Sequence, residues 1–465
     1  MKTCASIKHA CKLFSLVFSM VTFLYVVYFV VLEKSVSPGG SFRLTLFKDK
    51  AFSQMLCTGN WTGGTIIKVK NSQTFVISAY LDVRSRRVVR IIGITYRYEQ
   101  APLFCEYCFG GNNETVPAEV EVHSDHFEFP YGTADLLCNL RESQTPQYVC
   151  IHEGKNLQNT FLKVHNTEQA DNPPYQFEYD FLMCTSALFG SYNNILQFVQ
   201  AMEMYRILGV QKVVIYHTDS SSELKKVLAH YIEHNFLELI PWPITSYINV
   251  SSGWHYPEHP GDLHYYGQTA ALNDCIYRYM YKTRYMALHD LDELILPTTH
   301  KNWPELVEHL QQMSPSASVF IFENHVFPIT FTNQSKQSPE GWRSVPGVNI
   351  LTHDRREPNN PTEYNPTKMI LNPRNVIRTS VHVALEFVGE EFRVPRDVAQ
   401  LCHYREPKQS DLTLDMLIKD DILSRLFYIY IYLNISALIQ QMPKLQHQRA
   451  VPKASNVWAG PIYTP

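Results

Sequence analysis

The chain has 465 residues, of which 45% are hydrophobic and 13% aromatic, and a formal net charge of -3 at neutral pH. Single cores stop growing at roughly 250–300 residues, so a folded chain of this length is expected to hold more than one domain. The near balance of charge removes any electrostatic case for nucleic acid as a partner.

Leu13 to Leu32 (LFSLVFSMVTFLYVVYFVVL) carries no charge and is about the 20 residues a helix needs to cross a bilayer. Lys2, Lys8 and Lys12 precede it without an acidic residue, which predicts a cytoplasmic tail (1–12), a transmembrane signal-anchor (13–32) and a body on the far side. A cleaved signal peptide is the rival reading. The run is longer than the usual signal core, however, and Val30-Val31-Leu32-Glu33 is no small-residue cleavage site. Sequons at Asn60, Asn113, Asn249, Asn333 and Asn434 all follow the anchor. So do Cys57, Cys105, Cys108, Cys138, Cys150, Cys184, Cys275 and Cys402, an even set for which disulfides are the default in an oxidising lumen. Cys105-Glu-Tyr-Cys108 has CxxC spacing, but no second pair at zinc-like spacing accompanies it. Cys4 and Cys11, beside the cytoplasmic face, fit palmitoylation or no role at all.

Residues 33–56, with Pro38, Gly39 and Gly40, read as a stem. Residues 57–174 read as a small β-rich unit, with strands over Thr74–Tyr80, Arg87–Tyr96, Ala118–Val122 and Gln147–Ile151; the alternative is that these strands extend a main sheet. Beyond Asn172-Pro173-Pro174-Tyr175 the text alternates strand and helix, as a parallel βαβ sheet requires. Strands are predicted at Phe181–Ala187, Lys212–Tyr216 and Phe236–Ile240, and helices at Asn194–Gly209, Glu223–His234 (capped from Asp219-Ser220-Ser221-Ser222) and Gly267–Tyr281. The order is that of a Rossmann-like nucleotide-binding half, yet no GxGxxG is present, which counts against a dinucleotide.

The next strand runs into Ala287-Leu288-His289-Asp290-Leu291-Asp292-Glu293-Leu294-Ile295-Leu296-Pro297. In an extended segment Asp290 and Asp292 would face the same side. Such a pair of hard oxygen ligands suits manganese or magnesium carrying phosphate oxygens; a solvated acidic turn is the plainer reading. Ligands of such sheets bind beyond the carboxyl ends of the strands, where this cluster lies. A helix at Trp303–Met313 and strands at Val319–Phe322, Lys368–Ile370 and around His382 are predicted to follow. Leu401-Cys402-His403-Tyr404-Arg405 reads as a compact polar cluster, Ile422–Ile439 as a buried terminal helix, and the end of 421–465 as a loose tail.

Thr185–Tyr216, Gly267–Cys275, Asp290–Pro297 and His403-Tyr404-Arg405 together resemble, in order and spacing, glycosyltransferase family 92. The resemblance covers residues 175–420 and the earlier pair Phe75–Ile94. It implies an α/β fold of GT-A type and a type II Golgi membrane enzyme. Members with assigned activity transfer galactose from UDP-galactose in β1,4 linkage, to fucose or terminal galactose of N-glycans or to galactan. The resemblance thus implies a nucleotide-sugar donor and a glycoprotein glycan as acceptor. It also implies manganese (or magnesium) held by Asp290, Asp292 and His403, with His382 as second choice for the histidine. The donor-binding candidates are Asp290, Asp274, Gln268, Lys368 and Arg405; a plain surface charge is the alternative for Lys368 and Arg405, and helix capping or a local salt bridge for Asp274. A β product from an α-linked donor needs inversion and a base, for which Asp354 and Glu386, with Glu323, are the candidates. Trp242, Trp254, His255, Tyr256, Tyr265 and Tyr266 fit stacking on an acceptor sugar or ordinary packing. The competing functions are transfer of another UDP-sugar, or glycan binding by a protein of the same fold that no longer turns over.

Overall fold

A computed structural model describes residues 65–109, 112–154, 160–333, 338–409, 411–423 and 435–436. The expected tail, anchor and stem, and the sequons at Asn60 and Asn434, lie outside them. Among the described residues no helix is long and apolar enough to cross a membrane.

The first sheet has eight strands, more than the sequence pattern suggests: β1 (Ile67–Lys68), β2 (Phe75–Asp82), β3 (Val88–Tyr96), β4 (Phe104–Phe109), β5 (Asn112–Val122), β6 (Tyr131–Asn139), β7 (Tyr148–His152) and β8 (Leu162–His165). They pair in the order β1-β2-β3-β6-β5-β4-β7-β8, and β8 also meets β2. The sheet therefore closes on itself and does not extend the main one. Cys105 is bridged to Cys138 and Cys108 is also disulfide-bonded, so the CxxC is no metal pair. Cys150 and Cys402 are free and buried, so the disulfides expected as the default for this set do not extend to these two.

The second sheet starts with β9 (Tyr179–Leu188), then α1 (Ile195–Leu208), β10 (Lys212–His217), α2 (Ser222–Glu233), β11 (Leu237–Pro241), α3 (Gln268–Tyr279) and β12 (Thr283–Leu288). Gly209 closes α1 at φ +95°, and Ser221 Oγ accepts the Leu224 N–H at the head of α2, 3.1 Å away. After β12 come β13 (Glu293–Pro297), α4 (Trp303–Met313), β14 (Ala317–Pro328), β15 (Arg355–Arg356), β16 (Thr367–Leu371), β17 (Val376–Thr379), β18 (Ala384–Phe387), β19 (Glu390–Arg393), β20 (Ala399–Arg405) and β21 (Ile418–Lys419). The strand order is β11-β10-β9-β12-β16-β14-β20-β13, with β19 on β14. The first four strands are parallel, whereas β16 runs antiparallel to both β12 and β14, so the sheet is mixed rather than wholly parallel.

Two sequence expectations change. The Leu401–Arg405 cluster is a buried central strand, β20, paired with β13 and β14. His382 sits in the turn between β17 and β18, not on a strand.

The main sheet has a core on each face. One contains α1, α2 and α4 with Phe181, Ile215, Phe320 and Trp303; Ile422, Leu423 and Ile435, the described part of the expected terminal helix, are buried in it. The other contains α3 and the first sheet, with Tyr80, Ile91, Cys184, Tyr216, Cys275 and Met286 in one cluster. Of α3, only Arg278 is not buried, because a helix between two sheets has no solvent face.

Candidate active site

The four parallel strands stand in the order third, second, first, fourth, so the chain reverses direction across the sheet between β9 and β12, where ligands of such sheets bind. The acidic segment leaves β12 at this crevice. It is a tight turn, not the extended segment expected: the Glu293 N–H meets Asp290 O at 3.3 Å and the Asp290 N–H donates to Glu293 Oε2 at 2.9 Å. The turn sends the two aspartates to different partners. Asp290 Oδ2 receives the Lys368 ammonium of β16 at 2.7 Å, and its Oδ1 lies 3.4 Å from Gln268 Nε2. Asp292 Oδ2 lies 3.2 Å from His403 Nε2. Glu293 faces both, 3.5 Å from Lys368 Nζ and 3.4 Å from His403 Nδ1. Strand β20 fixes this arrangement, since Glu293 and His403 are cross-strand partners and the Tyr404 N–H donates to Asp292 O at 2.9 Å.

The cluster is almost dry: the Lys368 and Glu293 side chains are 2% and 3% exposed, and Asp290 reaches only 14%. Burial alone would raise the Asp290 pKa, but the Lys368 ammonium, with His403 and His382 behind it, holds it below the ordinary carboxylate value. Burial pushes Glu293 up against the pull of the same lysine. Burial opposes the charge on Lys368 too, and Asp290 and Glu293 outweigh it, carrying its pKa above the usual lysine value. Beneath the turn His289 packs on Tyr205 and Trp303, and burial drives its pKa down to about 4.

Gln268 opens α3 beside the turn, its Nε2 donating to Ser186 Oγ of β9 at 2.6 Å. Arg405 ends β20 two residues beyond His403, close enough to act electrostatically on Tyr265, as Asp290 and Asp292 do. His382 lies within electrostatic reach of Lys368, Asp290 and His403, and burial lowers its pKa to about 3. The geometry thus brings together Asp290, Asp292, His403, Lys368, Gln268 and Arg405, with Lys368 serving as the counter-ion of the acidic turn rather than as a free cation.

Four candidates are not brought there. Asp274 is fully buried on α3, where Ser78, Tyr80 and Tyr216 hydroxyls and the Arg278 guanidinium all donate to it. Against the effect of burial these donors hold its pKa below the ordinary value. It is an anchor between the sheets and not a donor contact. Asp354 accepts from Asn333 Nδ2 at 2.7 Å beside the β15–β21 ribbon. Glu386 is 54% exposed on β18 and pairs with Arg378 at 3.3 Å. Glu323, the third base candidate, is exposed and accepts from Asn359 and Asn365. Glu293, read from the sequence as orienting the loop rather than binding metal, does so by accepting the Asp290 N–H; the residue that the sequence reading missed is Tyr205, whose hydroxyl lies 3.3 Å from Glu293 O. A lysine inside the apolar run Thr-Lys-Met-Ile-Leu was the available signal for a buried counter-charge.

The family model for glycosyltransferase family 92 matches residues 179–437, more than half of the chain. This chain belongs to glycosyltransferase family 92. A Caenorhabditis elegans beta-1,4-galactosyltransferase, galt-1, is 26% identical over 241 residues, 50% of this chain and 50% of that protein. A second C. elegans protein, glycosyltransferase family 92 protein C33H5.2, is 23% identical over 207 residues, 44% of this chain and 37% of the other. The Arabidopsis thaliana galactan beta-1,4-galactosyltransferase GALS2 is 22% identical over 238 residues, 49% and 40% respectively. The chain therefore spans half or less of each of these relatives.

Proposed function

We propose that this family-92 chain is a GT-A type enzyme that transfers galactose from UDP-galactose, in β1,4 linkage and with inversion, to a sugar of a glycoprotein N-glycan. In this reading residues 13–32 anchor it in the Golgi membrane, 33–56 are the stem, and 57–174 precede a catalytic domain of 175–420. The observation that carries the reading is the carboxylate–histidine pair Asp292–His403 at the strand-order reversal of the sheet, in a chain of a family with named β-1,4-galactosyltransferases.

Among the described residues no group of three His, Cys, Asp or Glu side chains is arranged to hold a metal ion unaided. A magnesium-like ion that arrives with a diphosphate needs only one or two carboxylates from the protein. Asp292 Oδ1 is buried without a hydrogen-bond partner among the described residues, and a buried anionic oxygen of this kind calls for a cation. The residues present therefore fit, with Asp292 and His403 as the ligands, and manganese or magnesium there would stabilise charge on the leaving diphosphate. Asp290 acts through the chain itself: it fixes Lys368 and, with Gln268, ties the head of α3 to the turn. Gln268 Oε1, buried and unpartnered among the described residues, offers an acceptor to a donor hydroxyl. Arg405, at the end of β20, is the cation assigned to the diphosphate. The attacking acceptor hydroxyl must lose a proton to a base, and neither Asp354 nor Glu386, bonded elsewhere, is assigned that role.

The test is transfer from a panel of UDP-sugars to a glycan array by the full chain in detergent, with manganese or EDTA, beside Asp292→Ala and His403→Ala. Manganese-dependent galactose transfer, reduced by roughly a hundredfold or more in either variant, is expected. An array that receives no sugar from any donor would sink the reading.

A further inference from the structure

A row of rings starts in the first sheet and ends at the acidic turn. Phe127, in the loop between β5 and β6, stacks on His264 with centroids 3.9 Å apart and planes at 21°. Trp254 meets His264 at 4.5 Å and Phe127 edge-on at 5.2 Å, and its indole stacks on His382 at 5.4 Å and 19°. Tyr364 lies edge-on to His382 at 6.5 Å. His382 bonds through Nδ1 to Thr367 O, 3.0 Å away and one residue before Lys368.

This row has features of a site rather than of a core. Tyr364 is 51% exposed and Tyr256, against Phe129, is 45% exposed, large aromatic residues left at the surface. His264 is 3% exposed and, among the described residues, neither ring nitrogen has a hydrogen-bond partner. Phe127 and Glu128 stand at φ +51° and +61°, and Tyr265 and Tyr266 at +33° and +57°. Such strain in non-glycine residues costs on the order of 1–3 kcal/mol each and collects at ligand sites. Arg97 holds the strained loop by donating to Phe129 O at 2.7 Å and Glu128 O at 3.1 Å. Asp125, half-buried on the same loop, acts electrostatically on the Tyr364 phenol.

We propose that this row is the acceptor subsite: a pyranose packs its C–H face on Phe127 and Tyr364 and turns hydroxyls to the Asp125 carboxylate, so that the first sheet supplies part of the active site. Aromatic faces with one carboxylate at the rim are the chemistry that selects a sugar over a purely apolar ligand. The proposal rests on the transferase reading, because it makes the ligand of this row the acceptor.

The test measures binding of the full chain in detergent to an array of glycans ending in galactose or fucose, with UDP and manganese present, for wild type, Phe127→Ala, Tyr364→Ala and Met313→Ala. Met313 is exposed at the far end of α4. Glycan binding by the wild type and Met313→Ala, about tenfold weaker in each ring variant, is expected for a lost stacking face. Tyr364→Ala, being at the surface, decides the matter alone if Phe127→Ala does not fold. Wild-type affinity in Tyr364→Ala, or no glycan bound by the wild type, would overturn the subsite. Binding that depends on Tyr364 in a chain that turns over no UDP-sugar would support the subsite and sink the transferase reading.

Discussion

At the scale of single residues, the acidic turn depends on one ammonium held between two carboxylates. Lys368 is 2% exposed, and a buried pair that loses one member leaves an uncompensated charge, at a cost of about 3–5 kcal/mol. Lys368→Met is therefore expected to lower the free energy of unfolding by about that amount. Adding Asp290→Asn should recover part of it, since contacting residues are non-additive. Urea midpoints of the single and double variants check this, and an unchanged midpoint for Lys368→Met would contradict the role assigned to it. That Lys368 needs an anion could be read from its place in an apolar strand. Which anion could not, because Asp290 is 78 residues away and only the pairing of β12 with β16 brings the two together.

At the scale of elements, α3 carries Gln268 to the site and depends on what surrounds it. Cys275, on α3, is bridged to Cys184, on β9, across a sequence separation of 91. A crosslink over so long a loop mainly restricts the unfolded chain, so the double replacement Cys184→Ala/Cys275→Ala is expected to cost about 2–5 kcal/mol. Thermal unfolding of this variant beside wild type is the check, and equal midpoints would show that packing alone holds α3. The periodicity of α1, its closing glycine and the serine cap of α2 are local, and the sequence shows all three. Asp274 is the counter-example. Its four donors come from β2, β10 and α3 itself, and no local pattern reveals that they converge.

For the whole molecule, the first sheet is tied to α3 and to the separate β17–β18 hairpin by charged side chains. Arg84 donates to Asp82, to Val376 O at 2.7 Å and to Tyr277 OH at 2.6 Å, while Arg90 and Arg378 both reach Asp135. Although burial opposes it, the neighbouring arginines hold Asp82 down at about 2, so its contribution is present above its ordinary value of 3.8 and lost as pH falls through about 2. Burial holds His289 and His325 at about 4 and His382 at about 3, against an ordinary 6.5. Between those limits the unfolded state binds more protons, so stability is full above 6.5 and declines as pH falls. The slope approaches about 1.4 kcal/mol per pH unit for each histidine. Urea midpoints from pH 8 to pH 4 should fall steadily below about 6.5, and a flat profile would mean that these rings are charged or exposed in the folded state.

The sequence by itself determined the family, the alternation of strands and helices from β9 to α4, and the short list of acidic and basic side chains from which the site is drawn. These follow from apolar periodicity, caps and a motif, each of which acts over a few residues. Tertiary structure alone decided that the Asp-Leu-Asp segment turns rather than extends, and that Lys368 neutralises it. It also decided that Asp274, Asp354 and Glu386 belong to other contacts, and that Phe127 of the first sheet stands in line with His382. The reason is physical: a charge or ring takes its role from what lies within a few ångströms of it, and those neighbours come from strands and loops distant in sequence.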